Sequence, residues 1–188
     1  MATSEKSQVR RRLRARRREI TAVRDTAADG RDLVAQVSAV VARTGLAPGM
    51  TVLSYESVAG EPPTEALNAW LLGEGYRVLV PDTLPDLDLG WHELTRDDGT
   101  VRGLGVQAVG EADLVLAPGL AVDGRGTRLG QGGGCYDRAL PRRRAGVPVL
   151  VLLHPGEREP GEALPREPHD VPVDGVVTAD GIHWPHPA

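Results

Sequence analysis

Residues 113–138 read DLVLAPGLAVDGRGTRLGQGGGCYDR and combine three kinds of local signal. The apolar run from Leu114 to Ala117 predicts a buried β-strand. A glycine-rich loop follows this strand, and a helix is predicted to start after it, at about Tyr136 to Leu140. A strand that leads through a glycine-rich loop into a helix is typical of α/β proteins that bind ligands at the carboxyl ends of their strands.

The segments on either side continue this alternation of strands and helices. We expect Thr64 to be the N-cap of one helix, and Pro81 to stop the strand that ends at Val80. The predicted strands are 51–55, 77–80, 91–94, 114–117, 147–153 and 173–178, and the predicted helices are 5–20, 32–44, 64–72 and 136–140.

The alternation predicts an α/β fold, a Rossmann-like three-layer αβα sandwich with a mostly parallel sheet. A length of 188 residues fits one domain, so we expect a single domain over 1–188 that includes a basic helix at about 5–20. Ligands of such sheets bind beyond the carboxyl ends of the strands. We therefore expect a site formed by the loop 56–63, the region after Pro81, the loop 118–134 and the segment from His154 onward.

Composition excludes several classes of protein. The only cysteine, Cys135, cannot form an intrachain disulfide, and no Cys/His cluster has the spacing of zinc ligands, which indicates a reducing compartment. The most apolar stretch, 147–153, contains a proline and is far shorter than the roughly 20 residues of a membrane span. We therefore expect a cytoplasmic protein without a membrane segment.

Positive charge is concentrated at the N-terminus. Residues 1–31 contain ten Lys or Arg and four Asp or Glu, whereas the other 157 residues contain twelve and 22, and Lys6 is the only lysine. Three interpretations compete: a transit peptide, a nucleic-acid contact and a helix that meets a small polyanion. Glu5 and Glu19 weaken the interpretation as a transit peptide. A nucleic-acid contact is disfavoured because aromatic residues are scarce and the rest of the chain is acidic.

The glycine-rich loop has the properties of a phosphate-binding loop. Glycines from Gly130 to Gly134 allow positive φ and close backbone approach, so that successive N–H groups can surround a phosphate. The loop matches neither the dinucleotide fingerprint nor the P-loop, and a flexible surface loop is the alternative. Arg128 is suited to a phosphoryl oxygen, and Asp137 either to Mg²⁺ or to a stabilising position in the first turn of a helix.

The stretch 113–138 resembles the C-terminal signature of 5-formyltetrahydrofolate cyclo-ligases, also called methenyltetrahydrofolate synthetases. Further segments agree with this family in the same order, so the resemblance covers nearly the whole chain. These segments are 6–10, 54–55 with 61–64, 77–81, and 167–170 with 173–174.

The resemblance implies an enzyme that uses ATP to cyclise 5-formyltetrahydrofolate to 5,10-methenyltetrahydrofolate, through phosphorylation of the formyl oxygen and release of ADP and phosphate. It implies catalytic roles for Lys6 and Arg128, and Mg²⁺ bound by Asp137 and Asp170. The spacing of Lys6 and Arg10 places both on one helical face. The implied ATP-binding residues are Lys6, Arg10, Arg128, Leu129, Gly130, Gln131, Gly132, Gly133, Gly134, Cys135 and Tyr136, and the implied substrate-binding residues are Glu61, Gln131, Gly132, Gly133, Gly134 and Cys135.

The chain also departs from the family pattern. Gln131 stands where the family generally has a basic residue, Cys135 stands where an aromatic is common, and the segment 91–113 is shortened. One alternative is therefore a divergent paralogue that keeps the ATP and Mg²⁺ site but acts on another substrate. A second alternative is a non-enzymatic RNA-binding or polyanion-binding module that uses Arg10 to Arg18. We expect a monomer that binds no nucleic acid, and a Trp91 that either stacks on a ligand or lies in the core.

Overall fold

The computed structural model describes residues 2–95 and 102–184, with side chains from Glu5 onward. Two 3-10 helices accompany the regular elements, at Val106–Glu111 and Leu140–Arg142. The helices are α1 (Ala2–Thr21), α2 (Thr26–Thr44), α3 (Glu65–Gly73) and α4 (Cys135–Ala139). The strands are β1 (Thr51–Leu53), β2 (Arg77–Thr83), β3 (Leu89–Glu93), β4 (Leu114–Pro118), β5 (Ala121–Asp123), β6 (Arg128–Leu129), β7 (Val149–Leu152), β8 (Arg158–Glu159), β9 (Gly175–Thr178) and β10 (Gly181–His183).

The main sheet has seven strands in the order β10-β9-β7-β4-β1-β2-β3. The five inner strands are parallel to one another, and β3 and β10 lie antiparallel at the two edges. Strands β1, β7 and β9 are buried along their whole length, and β4 is buried as far as Ala117, because both faces of the sheet are covered. The predicted mostly parallel α/β sheet is confirmed.

Two apolar clusters fill the two sides of this sheet. On one side, α2 and α3 contribute Leu33, Val37 and Leu67, which pack with Leu114 of β4. On the other side, α4 and the 3-10 helices pack against alternate residues of the same strands, such as Val115. The three layers of the predicted sandwich are present, although one outer layer consists of short helices.

A second, three-stranded sheet in the order β6-β5-β8 was not predicted from the sequence. Helix α1 packs on this sheet through Leu13, which contacts a small cluster that includes Leu120 and Leu129. Strands β6 and β8 contain two residues each, which is too short for a recognisable periodic pattern. The small sheet fixes α1 beside the loops that follow β4.

Several predicted boundaries require correction. Helix α2 begins at Thr26 and not at about residue 32, because the carboxylate of Asp25 accepts the N–H groups of the first turn. Thr64 occupies the N-cap position of α3, but its hydroxyl donates to the carbonyl of Tyr55 and caps nothing.

Pro81 does not end β2, which continues to Thr83 and pairs there with β3. The carbonyl of Leu79 faces β1, where it accepts the N–H of Ser54. Pro81, two residues further on, faces the same side beyond the end of β1, so its missing N–H breaks no ladder bond. The turn expected at residues 97–99 lies outside the described residues.

Within residues 2–95 and 102–184, none of the helices combines the length and the apolar character needed to cross a membrane.

Candidate active site

A cavity of about 560 Å³ lies where α1 meets the carboxyl end of β2 and the loops that follow β1 and β4. It lies at the predicted position beyond the carboxyl ends of the strands, and the segment after His154 contributes to it from the C-terminal side. Its lining residues are Lys6, Arg10, Tyr55, Glu56, Val58, Glu61, Pro81, Thr83, Leu89, Pro118, Gly119, Arg128, Gly130, Gln131, Gly132, Gly133, Gly134, Cys135, Tyr136, Asp137, Glu167, His169 and Asp170.

Every residue expected at the site lines this cavity except Leu129. The side chain of Leu129 is buried in the apolar cluster under α1. Trp91 also lies in the core, 1% exposed, with its ring edge-on to Tyr136 at 6.4 Å between centroids. Of the two roles considered for Trp91, the structure therefore favours core packing over ligand stacking.

Lys6 is buried and forms ion pairs in the wall of the cavity. The residue is 5% exposed, and its ammonium lies 2.9 Å from a carboxylate oxygen of Glu167 and 2.7 Å from one of Asp170. Burial opposes the charge of Lys6, but the hydrogen bonds that its ammonium donates to Asp170 and Glu167 outweigh this effect and raise the pKa of Lys6. Burial likewise opposes the charge of Asp170, but the Lys6 bond and the N–H of Glu167 lower the pKa of Asp170. Lys6 and Asp170 therefore both stay charged at neutral pH.

Arg128 crosses the floor of the cavity beside α4. One guanidinium nitrogen lies 3.0 Å from Asp137 Oδ1, and another donates to the carbonyl of Pro118 at 3.3 Å. The guanidinium carbon lies 5.5 Å from the centre of the Tyr136 ring. Because strand β6 and these three neighbours hold it, the guanidinium is a preorganised positive group in the cavity.

The glycine-rich loop needs glycine at two of its positions for conformational reasons. Gly132 has φ +122° and Gly134 has φ +69°, values that residues with a Cβ rarely adopt. Arg10 of α1 donates through Nε to the carbonyl of Gly130 at 3.0 Å. Arg14 donates to the carbonyl and the side-chain oxygen of Gln131 at 2.6 and 3.0 Å. Arg14 was not anticipated from the sequence.

Glu61 lies opposite the glycine-rich loop, on the segment that follows β1. One of its carboxylate oxygens accepts the N–H of Val58 at 3.2 Å. Burial raises the pKa of Glu61, although the Val58 bond partly opposes this effect. Tyr55 and Tyr136 also line the cavity, and their hydroxyls are buried without a hydrogen-bond partner among the described residues. The segment after β1 therefore contributes the carboxylate of Glu61 to the cavity wall.

One group of side chains among the described residues could hold a metal ion: Glu167, His169 and Asp170, whose ligand atoms lie within 4.8 Å of one another. Asp137, expected beside Asp170 as a metal ligand, does not belong to this group. Arg128 donates to its Oδ1, and no hydrogen bond to Oδ2 of Asp137 is found among the described residues. Glu167 lies three residues before the expected ligand Asp170, within the segment 167–170 that resembles the family, but the sequence predicted no role for it in the site.

A buried polar network lies under the cavity and joins four separate segments. Arg17 of α1 binds both carboxylate oxygens of Glu157 at 2.5 and 2.8 Å and donates to the carbonyl of Gly119 at 2.5 Å. Glu157 also accepts the N–H of His154 at 2.8 Å. The His154 ring contacts the carbonyl of Gly60 at 3.2 Å. The network thus connects the basic helix to the loop that contains Glu61.

The ring of His154 gives this network a pH dependence. A carbonyl can only accept, so Nε2 donates to Gly60, and burial lowers the pKa of His154 below its usual 6.5 although nearby Glu157 and Asp29 oppose the shift. Below pH 6.5 the unfolded chain therefore binds the proton first, and the folded protein loses stability as the pH falls from there to the lowered pKa. We expect a loss of up to about 1.4 kcal/mol per pH unit in that window, measured by urea unfolding.

His154→Gln keeps a donor for the carbonyl of Gly60 but cannot titrate, so its stability should depend less on pH below pH 6.5. His169→Gln is the matched control, because His169 is exposed and lies outside this network. Equal slopes for the wild type and His154→Gln would contradict the assignment.

Comparisons with known proteins agree over almost the whole chain. The model of the 5-formyltetrahydrofolate cyclo-ligase family matches residues 2–179. The chain is 36% identical over 145 residues to the 5-formyltetrahydrofolate cyclo-ligase of Mycolicibacterium smegmatis, an alignment that covers 69% of this chain and 74% of that protein. It is 27% identical over 192 residues to the enzyme of the same name from Haemophilus influenzae, covering 94% of this chain and 99% of the other.

Solved structures share the fold at lower sequence identity. A 5,10-methenyltetrahydrofolate synthetase from Mycoplasma pneumoniae superposes with a TM-score of 0.73 at 17% identity, covering 93% of this chain and 99% of that one. A protein of the same name from Aquifex aeolicus gives a TM-score of 0.70 at 20% identity, covering 97% and 94%.

Proposed function

Because the chain belongs to the 5-formyltetrahydrofolate cyclo-ligase family, we propose that it catalyses the ATP-dependent cyclisation of 5-formyltetrahydrofolate to 5,10-methenyltetrahydrofolate, with release of ADP and phosphate. The observation that supports this proposal is that segments far apart in the sequence together line one cavity. Helix α1 brings two cations, the loop after β1 brings Glu61, and the glycine-rich loop brings backbone donors. Such a cavity suits a phosphorylated ligand beside a flat heterocycle.

The proposed reaction has two steps. The formyl oxygen attacks the γ-phosphorus of ATP, and the bond from that phosphorus to the bridging oxygen breaks to release ADP. The N10 nitrogen then attacks the formyl carbon and loses its proton to solvent, and phosphate leaves with the former formyl oxygen. Negative charge concentrates on the phosphoryl group in the first step, so that positioned cations stabilise its transition state.

The residues of the chain would act by position and charge. Lys6, Arg10 and Arg128 would neutralise the phosphoryl oxygens, and the N–H groups of residues 130–136 would hold the nucleotide. The carboxylate of Glu61 would accept hydrogen bonds from the pterin and fix its orientation. No covalent enzyme intermediate is needed, so Cys135 has no role as a nucleophile in this scheme.

The acidic residues of the cavity are chemically suited to Mg²⁺. Mg²⁺ prefers carboxylate oxygens, and the carboxylates of Asp170 and Glu167 already hold one cation, the Lys6 ammonium. We propose Asp170 and Asp137, through its Oδ2, as the protein ligands. Bound there, Mg²⁺ would neutralise part of the charge of the ATP phosphates. Lys6 would then turn from the carboxylates toward the phosphates.

We also propose that residues 1–188 act as one domain, in the cytoplasm and as a monomer. The continuous sheet supports the single domain, because strands from both halves of the chain belong to it and β1 pairs directly with β4.

The test is a direct assay of purified protein with Mg-ATP and 5-formyltetrahydrofolate. We expect the near-ultraviolet absorbance of the methenyl product together with an equal amount of ADP. Lys6→Ala and Asp137→Ala should each lower kcat/KM about 100-fold, since each removes one charged group from the phosphoryl site. Arg12→Ala removes only an exposed ion pair with Glu162 and should keep the wild-type rate.

Other outcomes would favour the alternatives. Normal ATP binding without any product would favour a paralogue that uses another substrate, as the departures at Gln131 and Cys135 allow. A polyanion-binding module would instead bind RNA with an affinity that falls steeply with salt and survives Asp137→Ala. If Lys6→Ala and Asp137→Ala both matched the wild type in the assay, the assignment of the site would be wrong.

A further inference from the structure

Arg14 holds the glycine-rich loop but does not line the cavity. Its Nη2 donates to the main-chain oxygen of Gln131 at 2.6 Å and its Nε to the side-chain oxygen of the same residue at 3.0 Å. One turn earlier on α1, Arg10 donates to the neighbouring carbonyl, that of Gly130, at 3.0 Å. Two successive carbonyls of the loop are therefore held by successive turns of one helix.

This arrangement determines where the loop N–H groups point. In a trans peptide unit, the C=O and the N–H of the next residue point in opposite directions, and no cis peptide bond occurs among the described residues. Because the carbonyls of Gly130 and Gln131 point to the arginines, the N–H groups of Gln131 and Gly132 point away from them. In residues 2–95 and 102–184, the structure gives no acceptor for the N–H groups of residues 131–134. They are donors that a ligand can use.

A glycine-rich segment does not keep such an orientation unaided. Gly132, Gly133 and Gly134 have the widest choice of backbone conformations of any residue type, so a phosphate would have to order them on binding. A two-pronged contact to Gln131 removes part of that freedom before the ligand arrives. The amide oxygen of Gln131 accepts from Arg14, whereas a basic side chain at this position would repel it.

We propose that Arg14 is a positioning residue of the ATP site, which acts through Gln131 to orient the peptide units of residues 130–132 toward the phosphates. This inference rests on the proposed function, because it takes the ligand of the loop to be ATP. Arg14 itself touches neither substrate. Its loss should therefore weaken the binding of the nucleotide and leave the chemical step largely intact.

The experiment compares Arg14→Ala, Arg14→Lys and Arg11→Ala in ATP titrations by calorimetry and in steady-state kinetics. Arg11 is exposed on the same helix and provides the matched control. We expect Arg14→Ala to raise the Kd and the KM for ATP about tenfold, with kcat changed less than about threefold and the KM for the folate unchanged. Arg14→Lys should recover only part of the loss, because an ammonium cannot make the two-pronged contact.

A double variant tests whether Arg14 acts through Gln131. We expect Gln131→Ala to have a smaller effect than Arg14→Ala, since the main-chain oxygen remains, and the double variant to equal Arg14→Ala alone. The proposal would be overturned if the effects of Arg14→Ala and Gln131→Ala were additive in the double variant. It would also be overturned if Arg14→Ala lowered kcat alone or bound ATP as tightly as Arg11→Ala does. A wild type that binds no ATP would overturn it as well. If the wild type binds ATP but forms no methenyl product, the proposed function is wrong. The ATP titrations would still show whether Arg14 positions the loop for ATP.

Discussion

Arg128→Ala is expected to lower kcat/KM about 1,000-fold, the largest effect of any substitution in the cavity. The guanidinium is buried between Asp137, Tyr136 and the carbonyl of Pro118. The Arg128 side chain therefore loses little conformational entropy when it binds a phosphoryl group. In the proposed reaction it faces the group that gains charge in the transition state. Its removal should therefore lower kcat as well as raise the KM for ATP, measured from methenyl absorbance under saturating folate.

Two further variants separate charge from packing. Arg128→Lys keeps the charge but not the planar guanidinium, and we expect its kcat/KM to exceed that of Arg128→Ala by less than about tenfold. Arg125→Ala changes an arginine of the same loop whose side chain is 64% exposed, and it should retain near wild-type activity. A folded Arg128→Ala protein with kcat/KM within about threefold of wild type would exclude the proposed role of this residue.

Glu157→Ala is expected to destabilise the protein by about 3–5 kcal/mol, because it leaves the Arg17 guanidinium buried without its counter-charge. Both side chains of the pair are less than a tenth exposed, at 7% and 2%. The same substitution removes the acceptor of the His154 N–H, so a second buried donor loses its partner. The free energy of unfolding from urea titration measures the effect, with an unchanged m value as evidence of two-state unfolding.

An exposed pair on the same helix provides the comparison. Arg12 and Glu162 form a similar ion pair, but each side chain is 52% exposed, so Glu162→Ala should cost less than about 1 kcal/mol. Replacement of both members of the buried pair, Arg17→Met with Glu157→Leu, should restore part of the stability that Glu157→Ala loses. A Glu157→Ala protein as stable as Glu162→Ala would show that the network contributes little to the fold.

The sequence predicted the central sheet well because its strands are buried on both faces. Strands such as β4 and β7 then appear as short continuous apolar runs, and the alternating helices set the parallel order. The prediction failed at Pro81 of β2, because the end of this strand depends on how far the neighbouring strand β1 extends. That length is a property of the assembled sheet and not of residues near the proline.

The site was predictable to the extent that its residues belong to a continuous motif. The glycine-rich loop, Arg128 and Asp137 lie together in the sequence, and the single lysine marked the helix face that contacts them. Arg14 and Arg17 lie among many similar arginines in α1, and only packing assigns the first to the loop and the second to Glu157. Hydrogen bonds and ion pairs between segments more than 100 residues apart have no local sequence signal.

The position of Lys6 has a consequence for chemical labelling. Reagents that acylate or cross-link lysine side chains usually mark the surface of a protein, where most lysines lie. In this chain the only lysine is buried in the cavity and bound to two carboxylates. Acylation of a lysine side chain would therefore report the opening of this cavity, and lysine-directed coupling to a solid support would take place at the proposed ATP site rather than on the surface.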